Sequence, residues 1–86
     1  MKIFIPSPLQ SYTGGKDEVE ISGKTVGAVL DALDRRFPGS KFRLITEQGT
    51  IREHIKIFLN TDPVSDLSRE TAPTDELQII CAISGG

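Results

Sequence analysis

From Lys2 to Pro6 the chain sets Ile3 and Ile5 on one parity and Lys2 and Phe4 on the other. That two-residue period is the signature of a strand with one buried face. Glu18-Val19-Glu20-Ile21 repeats the alternation and gives a second strand, antiparallel to the first. Between them Ser7 to Lys16, with Pro8, Gly14 and Gly15, reads as a loop, longer than the usual hairpin connection of about 2–5 residues. The pattern then changes period. Val26, Val29, Leu30, Leu33 and Phe37 fall at i, i+3, i+4, i+7 and i+11, one stripe of a helix. Thr25 is placed to cap its start. Asp31 and Arg35 sit four apart on its outer side, Arg35 and Arg36 suit the negative end of its dipole, and Pro38-Gly39 stops it.

Downstream, Phe42, Leu44 and Ile45 read as an irregular turn that donates apolar side chains to the core, and Gly49 marks a further turn. Ile55 to Leu59 is a third strand, ended by Asn60, Asp62 and Pro63. Val64 begins a very short edge strand, Pro73 keeps Thr71 to Asp75 as a loop, and Leu77 to Ile83 forms the last strand. The order is β-β-α-β-(short β)-β. One helix with a single apolar stripe covers one face of one sheet. The expectation is an α+β chain with a mixed sheet of four to five strands and one main helix, a β-grasp arrangement.

Strand parity also says what the helix leaves uncovered. With Ile3 and Ile5 inward, Phe4 faces out; with Ile55, Ile57 and Leu59 inward, Phe58 faces out. With Leu77, Ile79, Cys81 and Ile83 inward, Ile80 faces out, so three strands each put a large apolar residue on the outer face. Lys56, Gln78 and the tail border this patch.

Composition narrows the function classes. Eighty-six residues, 37% apolar and 26% charged, make a single globular domain with one core, residues 1–86. No run approaches the roughly 20 apolar residues of a membrane span, and the start is too short an apolar stretch for a signal peptide. The single cysteine, Cys81, excludes a disulfide framework or thiolate cluster, and a cytoplasmic address follows as the expectation. Net charge is −2 with acids and bases interspersed and no tryptophan, which argues against a nucleic-acid surface.

Candidate chemistry inside the domain is thin. Ser22-Gly23-Lys24-Thr25 stands where a phosphate loop would, but the first glycine of that motif is replaced by Glu18, whose charge repels phosphate. His54 is the sole histidine and reads as a polar residue before a strand; Cys81 reads as a buried structural thiol. Gly27, early in the helix, fits a close approach of helix to sheet. No catalytic residue and no metal ligand set is expected. The remaining candidate is the tail Ser84-Gly85-Gly86, a flexible segment (84–86) just after the last strand. Two residues without Cβ fit a channel too narrow for a side chain. The α-carboxylate, ionised at neutral pH with a reference pKa of about 3.3–3.7, is an oxygen nucleophile toward the α-phosphorus of ATP.

Tyr12-Thr13-Gly14-Gly15, the stretch from Gly23 to Leu30, Ile57-Phe58-Leu59-Asn60 and the closing Gly85-Gly86 together resemble the ubiquitin-like sulfur carriers typified by MoaD, ThiS and CysO, the CysO-like branch most. The resemblance implies a ubiquitin-like β-grasp fold and a partner adenylyltransferase related to ubiquitin-activating enzymes. That partner would consume ATP to adenylate Gly86, and a sulfur source would then leave a thiocarboxylate for a sulfur-accepting biosynthetic enzyme. The product would be cysteine or a cofactor such as molybdopterin or thiamin. The resemblance also implies that Phe4, Phe58 and Ile80 face the activating enzyme. The chain itself would bind no cofactor, contact neither nucleic acid nor membrane, and be a monomer when free. Relatives commonly carry Asp-Gly-Asp before the last strand where this chain has Pro73-Thr74-Asp75. Two other readings stay open: a protein modifier joined to lysine through Gly86, and a noncovalent β-grasp binding module.

Overall fold

Thr25 opens the one long helix, α1 (Val26–Arg36), by accepting the Ala28 N–H on its hydroxyl. The structure, a computed structural model, describes residues 1–82; the expected last strand position Ile83 and the tail 84–86 lie outside them. Val26, Val29, Leu30 and Leu33 on the stripe of α1 are fully buried. Burial of each such side chain is worth about 1.5–3 kcal/mol. The sheet has five strands, β1 (Lys2–Phe4), β2 (Glu18–Glu20), β3 (Ile55–Leu59), β4 (Asp62–Pro63) and β5 (Glu76–Cys81), and the stripe packs with the inner residues of all but β4, whose two residues are exposed.

The sheet order is β2-β1-β5-β3-β4. Among the described residues only the β1–β5 pair is parallel; β1–β2, β3–β5 and β3–β4 are antiparallel. The last strand in sequence therefore lies in the middle, bonded on both sides. This is the β-grasp arrangement the periodicity predicts. Ile3, Ile5, Val19, Ile21, Ile55, Ile57, Leu59, Leu77 and Ile79 are all buried, and Phe37 packs on the core half-buried. No helix among the described residues is long and apolar enough to cross a membrane.

Several local expectations are corrected. Residues Ser40–Leu44 form a short second helix, α2, instead of an irregular turn. Asp34 makes it possible: its Oδ1 accepts the N–H groups of Gly39 and Lys41, both at 3.1 Å. Once these residues are helical, Phe42 and Leu44 no longer share a face. Leu44 and Ile45 are buried while Phe42 is 58% exposed, so it does not join the core. Asp31 pairs with Lys41 of α2, not with Arg35. The edge strand is Asp62–Pro63, not a strand begun at Val64. Proline is tolerated on an edge, and Val64 follows, donating its N–H to Ile57.

Gly27 faces the 65–70 loop and not the sheet: its N–H donates to the Leu67 carbonyl at 2.8 Å, and a Cβ would lie 3.2 Å from that oxygen. At Gly23 a Cβ would meet the Val29 backbone nitrogen at 2.8 Å. Close packing of the helix entry, not phosphate binding, accounts for the glycine there. Thr71 ties the same corner by donating its N–H to Lys24 and its hydroxyl to Gly23. Gly14 and Gly15, at φ +67° and +85°, supply the turn expected in the first loop.

Candidate functional site

β5 sets the direction in which the chain leaves the domain. Its first residue, Glu76, lies beside Lys2, and its last, Cys81, lies opposite Ile55. Beyond it the Ala82 N–H donates to the His54 carbonyl at 2.8 Å, the last ladder contact among the described residues. Gly86, the carrier position expected from the sequence, and its neighbours Gly85 and Ser84 follow within four residues and lie outside the described part.

The outer sheet face is described in full. Register places Glu18, Phe4, Gln78, Phe58 and Pro63 in one row across β2, β1, β5, β3 and β4. Phe4 and Phe58 therefore flank Gln78, about 10 Å apart at two strand spacings. Ile80, two residues along β5, stands opposite Lys56 and diagonal to Phe58. Phe4 and Phe58 are half-buried and Ile80 is 44% exposed. The Lys2 ammonium sits 5.9 Å from the Phe4 ring centroid, and Lys2 pairs with Glu18 at 4.0 Å. The structure thus brings the three expected apolar residues together on one surface, next to the strand that carries the tail.

The other sequence candidates are placed as follows. His54 is exposed immediately before β3. Cys81 is half-buried and packs against the core edge from the inner side, less enclosed than a fully buried thiol because β5 is ending there. No group of three or more His, Cys, Asp or Glu side chains among the described residues is arranged to hold a metal ion. Sequence reasoning missed a cluster at the exit of β5, where Phe42, Arg43, Arg52 and His54 line one depression. No local signal announces it: five residues are too few to show a helical period, and the helix that turns Phe42 away from Leu44 is started by Asp34.

The chain's likeness to known proteins runs through this site. The model of the ThiS family matches residues 3–86. The sulfur carrier protein CysO of Mycobacterium tuberculosis is 32% identical over 89 residues, covering 98% of this chain and 96% of that protein. Small archaeal modifier protein 1 of Haloferax volcanii is 35% identical over 69 residues, covering 79% of this chain and 78% of that protein. Among solved structures, that of the Amycolatopsis orientalis BexX/CysO complex superposes with a TM-score of 0.91 at 33% identity, over 99% of this chain and 98% of that one.

Proposed function

The chain belongs to the ThiS family, and from that premise we propose that it is a sulfur carrier whose Gly86 carboxylate is the carrying group. The observation that carries the reading is the extent of the likeness: it spans nearly the whole of a protein named as a sulfur carrier, and the family match runs through residue 86. The central position of β5 supports it, because the strand that leads to the tail is itself anchored by neighbours on both sides.

The chemistry is that of a carboxylate activated as a mixed anhydride with AMP as its leaving group. An oxygen of Gly86 attacks the α-phosphorus of ATP in a partner adenylyltransferase and pyrophosphate departs. A sulfide-level nucleophile then attacks the acyl carbon, the bond to AMP breaks, and a thiocarboxylate remains. The carrier supplies no acid or base; it positions the tail and offers a surface, for which Phe4, Phe58 and Ile80 are the docking residues. Transfer to a sulfur-accepting enzyme of cysteine synthesis is the destination that the CysO likeness favours.

The test is intact-mass measurement after incubation with the adenylyltransferase, ATP and sulfide. Wild type gains the mass of one sulfur-for-oxygen exchange; a Gly86 deletion and Gly85→Phe do not, with unchanged melting temperatures. Equal conversion of all three overturns the reading. A second reading, conjugation of Gly86 to lysine, is favoured by the likeness to an archaeal modifier protein. It shares the adenylation step and differs in yielding higher-mass conjugates from cell extract.

A further inference from the structure

A small hairpin between α2 and β3 gathers cationic groups at the end of the sheet where β5 leaves. Ile45 and Ile51 bridge, Thr46 N–H donates to the Thr50 carbonyl at 2.8 Å, and the two threonine hydroxyls bond at 2.7 Å. The Arg52 N–H then donates to Leu44 at 2.9 Å, which lays Arg52 along the last turn of α2. Its Nε donates to the Phe42 carbonyl at 2.7 Å, and its guanidinium lies 4.9 Å from the Phe42 ring centroid. Arg43 reaches over the Tyr12 ring at 6.0 Å. Phe42, Arg43, Arg52 and His54 line a depression of about 210 Å³.

Two properties mark this depression as a docking element. The ion pairs of the described residues engage Met1, Lys2, Lys41 and Arg69; neither Arg43 nor Arg52 takes part in one. The ring and the carbonyl hold the Arg52 plane in place while its terminal N–H groups stay available for a carboxylate. Phe42, at 58% exposure, offers an apolar contact beside them, which a free inorganic anion would not use. The position is equally specific. His54 holds Ala82, and an extended chain advances at most about 3.6 Å per residue, so Gly86 lies within roughly 14 Å of Ala82. A protein that closes on the Gly86 carboxylate works within that reach of Ala82, whose ladder partner His54 lines the depression.

We propose that Arg43 and Arg52, with Phe42 and His54 beside them in the same depression, form a cationic collar at the exit of β5, which docks acidic side chains at the entrance of the enzyme that processes Gly86. The identity of that partner rests on the carrier reading; the collar itself does not. It is distinct from the apolar patch of Phe4, Phe58 and Ile80 on the outer sheet face.

Two measurements test it. In the first, the full chain is titrated with hexaglutamate at low and high salt, amide shifts are followed by NMR, and hexalysine serves as control. Salt-sensitive shifts confined to residues 42–43 and 52–54 are expected with hexaglutamate only; their absence, or shifts spread over the sheet, overturns the collar. In the second, ATP–pyrophosphate exchange by the host's adenylyltransferase is measured with wild type and with Arg43→Glu combined with Arg52→Gln. The glutamine keeps a donor toward the Phe42 carbonyl, and a melt checks the fold. The variant should lose about tenfold or more in kcat/KM through KM, with kcat retained and salt dependence flattened. Exchange at the wild-type KM overturns the proposal. A wild type that supports no exchange defeats the carrier reading instead, and the peptide titration then decides the collar.

Discussion

Asn60 and Asp75, separated by 15 residues, bind the turn after β3 to the start of β5: Asn60 Nδ2 donates to Asp75 Oδ1 at 3.0 Å. The Asn60 Oδ1 accepts the Glu76 N–H at 3.0 Å, and the Asn60 N–H donates to the Glu76 carbonyl at 2.7 Å. Asp75 in turn accepts the Ala72 N–H at 2.8 Å, closing the Pro73-Thr74 turn without a glycine. One residue at φ 57° thus fixes where both β4 and β5 begin.

Asn60→Ala should destabilise the domain by about 1–2 kcal/mol, the cost of holding an ordinary residue in the left-handed region. Asn60→Gly should recover much of that loss, because glycine accepts the backbone angle though it lacks the amide. Chemical denaturation of the three proteins checks the order wild type, glycine, alanine. Equal midpoints for the alanine and glycine variants would show that backbone angle is not the issue.

The acid side of the stability profile should carry the mark of two aspartates. The Asn60 amide, and after it the Ala72 N–H, hold the Asp75 carboxyl below its usual range; the Ser68 N–H and hydroxyl do the same for Asp66. A carboxyl with a lowered folded pKa stabilises the fold above its unfolded value of about 3.9 and loses that contribution as pH falls through the folded value. Thermal midpoints should therefore drop as pH goes from about 5 to below 3. The drop should be shallower in the Asp66→Asn, Asp75→Asn double variant. Parallel profiles would assign acid sensitivity to other carboxylates.

Leu30 is 0% exposed at the middle of the α1 stripe. Leu30→Ala should cost about 2–5 kcal/mol, a large share of the stability of a domain this size. The check is the denaturation midpoint, with Asp31→Ala, an exposed neighbour, as the mild comparison. An unmoved midpoint would remove Leu30 from the core.

What the sequence reveals follows from how long a pattern lasts. The stripe from Val26 to Leu33, with its Thr25 cap, and the alternations around Ile3, Val19, Ile57 and Leu77 persist long enough to fix both the elements and their buried faces. Ser40–Leu44 is too short to show a helical period, and its start depends on Asp34, a residue of the preceding helix. That is why Phe42 reads as core from the sequence and is a surface residue in the fold. The strand order is also set at long range: nothing local tells β5 to enter between β1 and β3. For the site, the parity of Phe4, Phe58 and Ile80 is legible residue by residue, while the cluster of Arg52 on Phe42 arises only when the 45–51 hairpin folds back.

The outer-face patch gives the sharpest test of docking. Single apolar residues on a surface are ordinary. Here Phe4 and Phe58 sit in one register row with only Gln78 between them, and Ile80 stands diagonal to Phe58 on the strand that leads to Gly86. If the carrier proposal holds, an enzyme holding the tail would lie beside this surface, and an arginine at its centre would bury an unpaired charge against the partner. Phe58→Arg should weaken binding to the activating enzyme about tenfold or more, about 1.4 kcal/mol. Ile80→Arg should act in the same direction. The melting temperature of Ile80→Arg should hold, since that side chain is 44% exposed and contributes little to the core. The measurement is a titration of each variant against the purified enzyme, repeated at high salt. Loss at the patch should persist when salt is raised, because the contact removed is apolar, whereas loss at Arg43 and Arg52 should shrink. Unchanged affinity for both Phe58→Arg and Ile80→Arg would move the docking surface off this face of the sheet.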